Sequence, residues 1–526
     1  MLRRLVLCCL LLCAPWVAHA LTAAQAKAIA DGDSDERIAA LNAAAAEGAP
    51  GLGEFVQALL DDAVKVAGEQ VFVVRDDKAV DATGAPATLP AEAEDVVNNN
   101  RVRGALNAAR AALQLFSPDL ATRRAGIAEL QKESLEEAQL PLIDKAYAAE
   151  SDAALKEALD RMRATILVAA PDKAKRLEAV AALAGSGQAS VASLIQERLA
   201  PDAETDPEVR AALSRALDGI RAKLAWGERA GVVFTGISLG SILLLAALGL
   251  AITYGLMGVI NMAHGELIMI GAYATYLVQN LFRSWLPELF DAYILVAIPA
   301  SFLASALVGA AMERSVIRWL YGRPLETLLA TWGISLVLMQ GVRSLFGAQN
   351  VPVENPAWLS GGLQVMSNLT LPYNRIAIIV FAALVLAGMA LLIARTRLGL
   401  FVRGVTQNRR MAACVGVDTA KVDTYAFALG SGIAGLAGCA LSQVGNVGPD
   451  LGQSYIVDSF LVVVLGGVGQ LAGTVYAALG LGVLNKLLEG WAGAVLAKIM
   501  VLVFIVIFIQ KRPQGIFAMK GRSAEA

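Results

Sequence analysis

The sequence predicts an all-α protein: a polytopic helical membrane domain of eight or nine spans, preceded by a soluble helical-repeat domain of HEAT-like character. Three observations predict this. Charge is plentiful before about residue 230 and sparse after it. Apolar stretches long enough to cross a bilayer follow one another from Gly231 onward. In the first half, apolar residues recur every three or four positions among alanine, lysine and glutamate, the spacing of a solvated amphipathic helix. Over 526 residues, 56% hydrophobic and 17% charged with a mean hydropathy of +0.57, the chain is too apolar for an ordinary soluble protein. A net charge of −2 gives no basic footprint, so nucleic acid is not expected as a partner.

Residues 1–20 have the form of a signal peptide. Arg3 and Arg4 precede an apolar run from Leu5 to Leu12, and Ala18-His19-Ala20 is an A-x-A cleavage site. The run is too short to span a bilayer, which disfavours an uncleaved anchor. Lipidation at Cys13 is disfavoured because Leu12 stands where a small residue is wanted. Cleavage would remove Cys8, Cys9 and Cys13, leaving only Cys414 and Cys439, so the exported part is held by packing rather than by disulfides. The two histidines are His19 and His264, which excludes a multi-histidine metal site; neither metal nor cofactor is expected.

Residues 21–228 read as an extracytoplasmic helical domain. Leu155, Ala158, Leu159, Met162 and Ile166 form one apolar stripe. Val71–Val74 followed by Arg75-Asp76-Asp77-Lys78 reads as a strand and turn, and 86–90 as a loop. A repeat emerges when Pro118-Asp119, Arg123, Ile127, Leu130, Leu155, Leu159 and Ile166 are set beside Pro171-Asp172, Arg176, Val180, Leu183, Val209, Leu213 and Ile220. Stacked helical hairpins account for this pattern, and an alanine-rich bundle is the plainer alternative. With no histidine or cysteine in this stretch, a scaffold or interaction role is expected rather than catalysis.

Residues 229–526 form the membrane domain. Spans are expected near 232–257, 266–282, 292–313, 325–345, 374–394, 424–444, 471–488 and 494–510. The run Ile456–Gly467 is too short to cross and reads as a re-entrant or broken helix, which leaves the count at eight or nine. Arg314, Arg318 and Arg323, then Arg395, Arg397, Arg403, Arg409, Arg410 and Lys421, then Lys511, Arg512, Lys520 and Arg522 mark the cytoplasmic side. Gly236, Gly240, Gly430, Gly432, Gly435, Gly438, Gly469 and Gly473 suit close helix packing, and broken helices at a transport path are the alternative.

The stretch Tyr254–Glu266, YGLMGVINMAHGE, resembles the signature of branched-chain amino-acid-type ABC transporter permeases. Thr396-Arg397-Leu398-Gly399, Arg403–Asn408, Ala412–Val417, Ala434–Gly438 and Val464–Gly469 look like the same family. The wording of the signature and the exported extension resemble the urea-transporting branch. The resemblance implies a subunit of the bacterial inner membrane, N-terminal domain in the periplasm and C-terminus in the cytoplasm. It would conduct urea, or alternatively a branched-chain amino acid, beside a second permease (a heterodimer), cytoplasmic ATP-binding subunits and a periplasmic solute-binding protein.

Asn261, His264, Gly265 and Glu266 become the candidate substrate pathway, because ionisable groups in spans are costly and usually functional. The plainer reading is that His264 and Glu266 cap a helix. Gln407, Asn408, Arg409, Arg410, Ala413 and Gly416 become the candidate ATPase-coupling segment, expected as a short helix between two spans; an orienting basic loop is the alternative. The chain has no G-x-x-x-x-G-K-[ST] loop, so it is not its own ATPase and no enzyme site is expected. A secondary transporter or channel would need coupling carboxylates or symmetric repeats, and no clear set is seen.

Overall fold

The structure, a computed structural model, describes residues 21–75, 78–81, 85–90, 92–131 and 139–517. The predicted signal peptide, Asp76 and Asp77 of the predicted turn, and Lys520 and Arg522 lie outside the described residues. The described chain is mostly helical, and it divides into two compact units, one ending at Leu224 and the other beginning at Ala225.

The first unit opens with α1 (Ala23–Ala30), α2 (Ser34–Glu47) and α3 (Leu52–Leu60). Thr22 and Gln25 form a capping box on α1, and Asp33 accepts the first free N–H groups of α2. Five short strands follow: β1 (Val64–Ala67), β2 (Gln70–Arg75), β3 (Lys78–Asp81), β4 (Pro86–Ala87) and β5 (Glu94–Asp95). They pair antiparallel in the order β4-β3-β2-β1-β5. The all-α expectation is corrected here. Strands of two to six residues are too short to show an alternating pattern in sequence, and only the β2 core was legible. The expected loop at 86–90 supplies β4, with Pro86 on the edge strand where no ladder donor is needed. Leu52, Phe55, Leu59, Val64, Val71 and Leu106 bury this sheet against the helices.

α4 (Asn100–Gln114), α5 (Leu120–Leu130), α6 (Leu140–Ala149), α7 (Ala153–Leu167), α8 (Lys173–Ala184) and α9 (Ala189–Arg198) complete the unit with the first turns of α10 (Pro207–Met257). The same polar clamp occurs twice. Asp119 caps α5, Arg123 donates to the Ser117 and Pro118 carbonyls and pairs with Glu150 at 2.9 Å, and Glu150 accepts from the N–H groups of Ser151 and Asp152. Asp172 caps α8, Arg176 donates to the Ala170 and Pro171 carbonyls and pairs with Glu204 at 2.9 Å, and Glu204 accepts from the Asp206 N–H. Ile127, Leu130, Leu155 and Leu159 fill one core, and Val180, Leu183, Val209 and Leu213 the next.

The second unit holds the rest of α10, then α11 (His264–Trp285), α12 (Tyr293–Ser315), α13 (Pro324–Phe346), the hairpin β6 (Gly362–Met366) and β7 (Leu369–Pro372), α14 (Tyr373–Arg395), α15 (Arg397–Gln407), α16 (Arg409–Cys414), α17 (Thr419–Ser442), α18 (Leu451–Gly466), α19 (Leu471–Ala492) and α20 (Ala494–Lys511). Among the described residues, seven helices are long and apolar enough to cross a membrane: α10, α12 with the 3-10 turn before it, α13, α14, α17, α19 and α20. α11 has the length, 22 residues, but carries Glu266, Gln279, Asn280 and Arg283 among its apolar positions. α18 has 16 residues and spans about 24 Å, short of a hydrocarbon core of about 30 Å.

α17 is the centre of this bundle and packs most extensively on α11 and α12. Its glycines make this possible, because a Cβ on Gly438 would overlap the Ile268 carbonyl of α11 and one on Gly435 the Ser301 carbonyl of α12. The basic loops share one end of the bundle. Gly255 near the end of α10 abuts Gly469 there, and the Ile516 N–H donates to the Leu465 carbonyl at the end of α18. At the opposite end Val351 pairs with Val447, and the Asn374 side chain donates to the Gln443 carbonyl.

Candidate functional site

The chain breaks between α10 and α11. Gly258 adopts φ +64°, a left-handed conformation that favours glycine, and residues 258–263 are not helical. The break folds back into the bundle. His264 Nε2 donates to the Ala246 carbonyl at 2.9 Å, about 16 Å back along α10 from its last residue at the helical rise. α11 therefore starts near the middle depth of the bundle. α13 holds the break in place, with Thr331 Oγ1 accepting from the Met262 N–H at 3.2 Å, and within the break Asn261 Oδ1 accepts from the Ala263 N–H at 3.1 Å.

The four pathway candidates are neighbours in sequence but face four different surroundings. His264 is fully buried against α10, where a Cβ on Gly249 would come within 2.9 Å of its ring. Gly265 abuts α18, since a Cβ there would lie 2.6 Å from the Gly452 carbonyl oxygen. Glu266 turns to α13, and its Oε1 accepts from Ser335 Oγ at 2.9 Å. Asn261 lines a cavity of about 190 Å³ with Leu250, Tyr254, Ile260, Met262, Ile456, Val457 and Phe460. Three buried atoms here have no hydrogen-bond partner: Asn261 Nδ2, His264 Nδ1 and Glu266 Oε2. Sequence reasoning missed Ser335, Thr331 and Gly452, which lie far along the chain and carry no motif.

The coupling candidates occupy two short helices rather than one. Thr396 caps α15, Gln407 ends it, and Asn408 then caps α16 by accepting from the Met411 N–H at 3.0 Å. Gly416, with φ +89°, turns the chain toward α17. Val405, Ala412 and Val422 form a small apolar contact that seats this segment. Arg410, Ala413 and Gly416 are exposed, beside Met411 and Val415 at 59% and 75% exposure, so the outer face is basic and apolar together.

Arg409 behaves differently from Arg410. Its guanidinium pairs with both oxygens of Asp423, which is 2% exposed, and lies 5.1 Å above the Tyr321 ring. The network continues inward: Tyr321 Oη donates to Glu313 Oε1 at 3.1 Å, Thr424 Oγ1 donates to Glu313 Oε2 at 2.6 Å, and Arg318 pairs with Glu313 at 3.3 Å. It joins α16 to α12 and α17. Asp423 and Glu313 escaped the sequence reading because each reads as one acid near a span end. α15 also walls a cavity of about 650 Å³ at the basic end, lined by Gly255, Arg403, Gln407, Gly469 and Gln470 among others.

A bundle of helices long and apolar enough to cross a membrane, with two short helices between a pair of them, is the fold of a multi-pass membrane protein. Residues 232–509 match the family described as the branched-chain amino acid transport system permease component, and the chain belongs to that family. Among relatives, it is 28% identical over 285 residues to the high-affinity branched-chain amino acid transport system permease protein BraD of Pseudomonas aeruginosa, covering 53% of this chain and 93% of that protein. It is 28% identical over 300 residues to the corresponding protein LivH of Salmonella typhimurium, covering 54% and 94%. The autoinducer 2 import system permease protein LsrD of Yersinia enterocolitica is 28% identical over 204 residues, covering 37% and 60%. No solved structure matches the chain. It is an ABC-type permease of the inner membrane.

Proposed function

We propose that this permease conducts urea into the cytoplasm, driven by ATP hydrolysed on separate subunits that dock on α15 and α16. One observation carries the energetic part of this reading: the segment 407–416 presents an exposed basic and apolar face while Arg409 ties it inward to two spans. Closure of a docked ATPase would move α15, one wall of the cavity at the basic end. By the excess of arginine and lysine, that end faces the cytoplasm. The first unit then lies in the periplasm and the C-terminus in the cytoplasm, with nine membrane-inserted segments when α11 and α18 are counted. A periplasmic binding protein would deliver solute to the opposite end. A second permease would cover part of the apolar surface that α20 exposes through Val495, Ile499 and Val503.

Two features support urea. The signature at Tyr254–Glu266 resembles urea permeases, and Asn261 offers an unpartnered amide donor to a carbonyl. A second reading, transport of a branched-chain amino acid, is favoured by the names of the relatives and by the apolar walls around Asn261. Uptake of labelled urea and labelled leucine in a strain lacking this gene, with and without the gene restored, separates them. Gene-dependent urea uptake is expected; gene-dependent leucine uptake alone would sink the urea reading.

A further inference from the structure

α11 carries a second orphaned polar group beyond the pathway candidates. Tyr273 is 3% exposed, and its Oη has no hydrogen-bond partner. It lies seven residues after Glu266, so the two side chains leave the same face of the helix about 10 Å apart. Both face α13: Ser335 holds one oxygen of Glu266, and the Phe346 ring lies 4.7 Å from that of Tyr273. The start of α18 closes the same corner. Leu451 and Val447 pack with Tyr273, Gly452 abuts Gly265, and Gln453 reaches Met339 on α13. Asp450, the residue before α18, is exposed.

Two orphaned oxygens on one face of a helix, at bilayer depth, are costly to bury and are retained where a ligand completes them. We infer that this face of α11 holds two successive solute stations, Tyr273 Oη and Glu266 Oε2, which bind a solute through its N–H groups. The inference rests on the import reading above. The one charged group buried at these stations, Glu266, is an acid; Glu313 and Asp423, the other buried acids described in this unit, are already paired with Arg318 and Arg409. A solute rich in N–H donors, a neutral amide or an ammonium, therefore suits the stations, and an anion does not. Tyr273 is the nearer to the end opposite the basic loops, so it meets an incoming solute first.

The test uses the full importer, reconstituted with its partner subunits in proteoliposomes. Tyr273→Phe removes only an oxygen that has no partner in the fold, and Glu266→Gln keeps an acceptor for Ser335. Initial uptake of labelled urea and of labelled leucine is measured against concentration. Each variant should raise KM about tenfold, the worth of one hydrogen bond to the solute, with kcat little changed and copurification with the ATPase intact. A merely structural role would lower assembly or kcat instead. Unchanged KM, for whichever of the two solutes the unaltered protein moves, overturns the stations. A KM rise for leucine in a protein that does not move urea leaves the stations standing and overturns the urea reading. Should Glu266→Gln fail to assemble, Tyr273→Phe decides alone.

Discussion

His264 ties a break in the chain to the middle of the helix before it. Because a carbonyl only accepts, the Nε2–H form of the ring is the one that bonds Ala246, leaving Nδ1 bare. Space for the ring exists because Gly249 has no side chain, and Gly249 in turn lies against the Gly430 carbonyl of α17. The sequence showed a polar cluster at this position and could not separate anchoring from conduction, since both put a histidine beside a helix start. The contact with Ala246 supports anchoring. Replacing His264 with leucine removes that donor and should destabilise the purified protein by about 1–3 kcal/mol. His264→Gln keeps a donor and should lose less. Thermal unfolding in detergent, followed by tryptophan fluorescence, checks the order; equal losses would remove the bond from the argument.

Among the elements, α15 and α16 show what periodicity reveals and what it hides. The basic residues between two spans were legible, as were the helix positions in the second unit, because long apolar runs and basic ends are strong signals. The cap at Asn408 splits the predicted helix, and no spacing rule announced that Arg409 turns in while Arg410 turns out. Such a fact depends on Asp423 and Tyr321, which only the fold brings close. The two arginines should therefore fail differently. Arg409→Ala leaves Asp423 buried without its partner, a loss of about 3–5 kcal/mol, and should reduce folded yield. Arg410→Ala should leave yield unchanged and weaken ATPase copurification. Arg409→Ala together with Asp423→Ala should recover part of the loss, as a double-mutant cycle of yield and melting will read. Equal behaviour of the two single variants would refute the inward role.

At the scale of the whole molecule, the first unit repeats one electrostatic device, and that device has a pH signature. The Pro-Asp starts were visible in the sequence because caps are local, whereas Glu150 and Glu204, each far from its arginine along the chain, were not. Burial pushes the Glu150 carboxyl up, but the Arg123 hydrogen bond and the Asp152 and Ser151 N–H groups outweigh it, so the carboxyl sits below its ordinary range. The Thr122 hydroxyl and backbone lower Asp119, and Lys173 lowers Asp206. A carboxyl with a folded pKa below its unfolded value contributes stability that is complete above the unfolded value, about 4. That contribution drains away as pH falls through the folded value. Residues 21–224, expressed alone, should then melt at a nearly constant temperature between pH 7 and 5, and at a falling one below about pH 4. Glu150→Gln should lower the plateau and flatten the acid slope, because the substituted side chain cannot take up the proton. Circular dichroism melts across that range decide the matter: an acid slope in the variant equal to that of the unaltered unit would mean that the Arg123–Glu150 clamp contributes nothing to it.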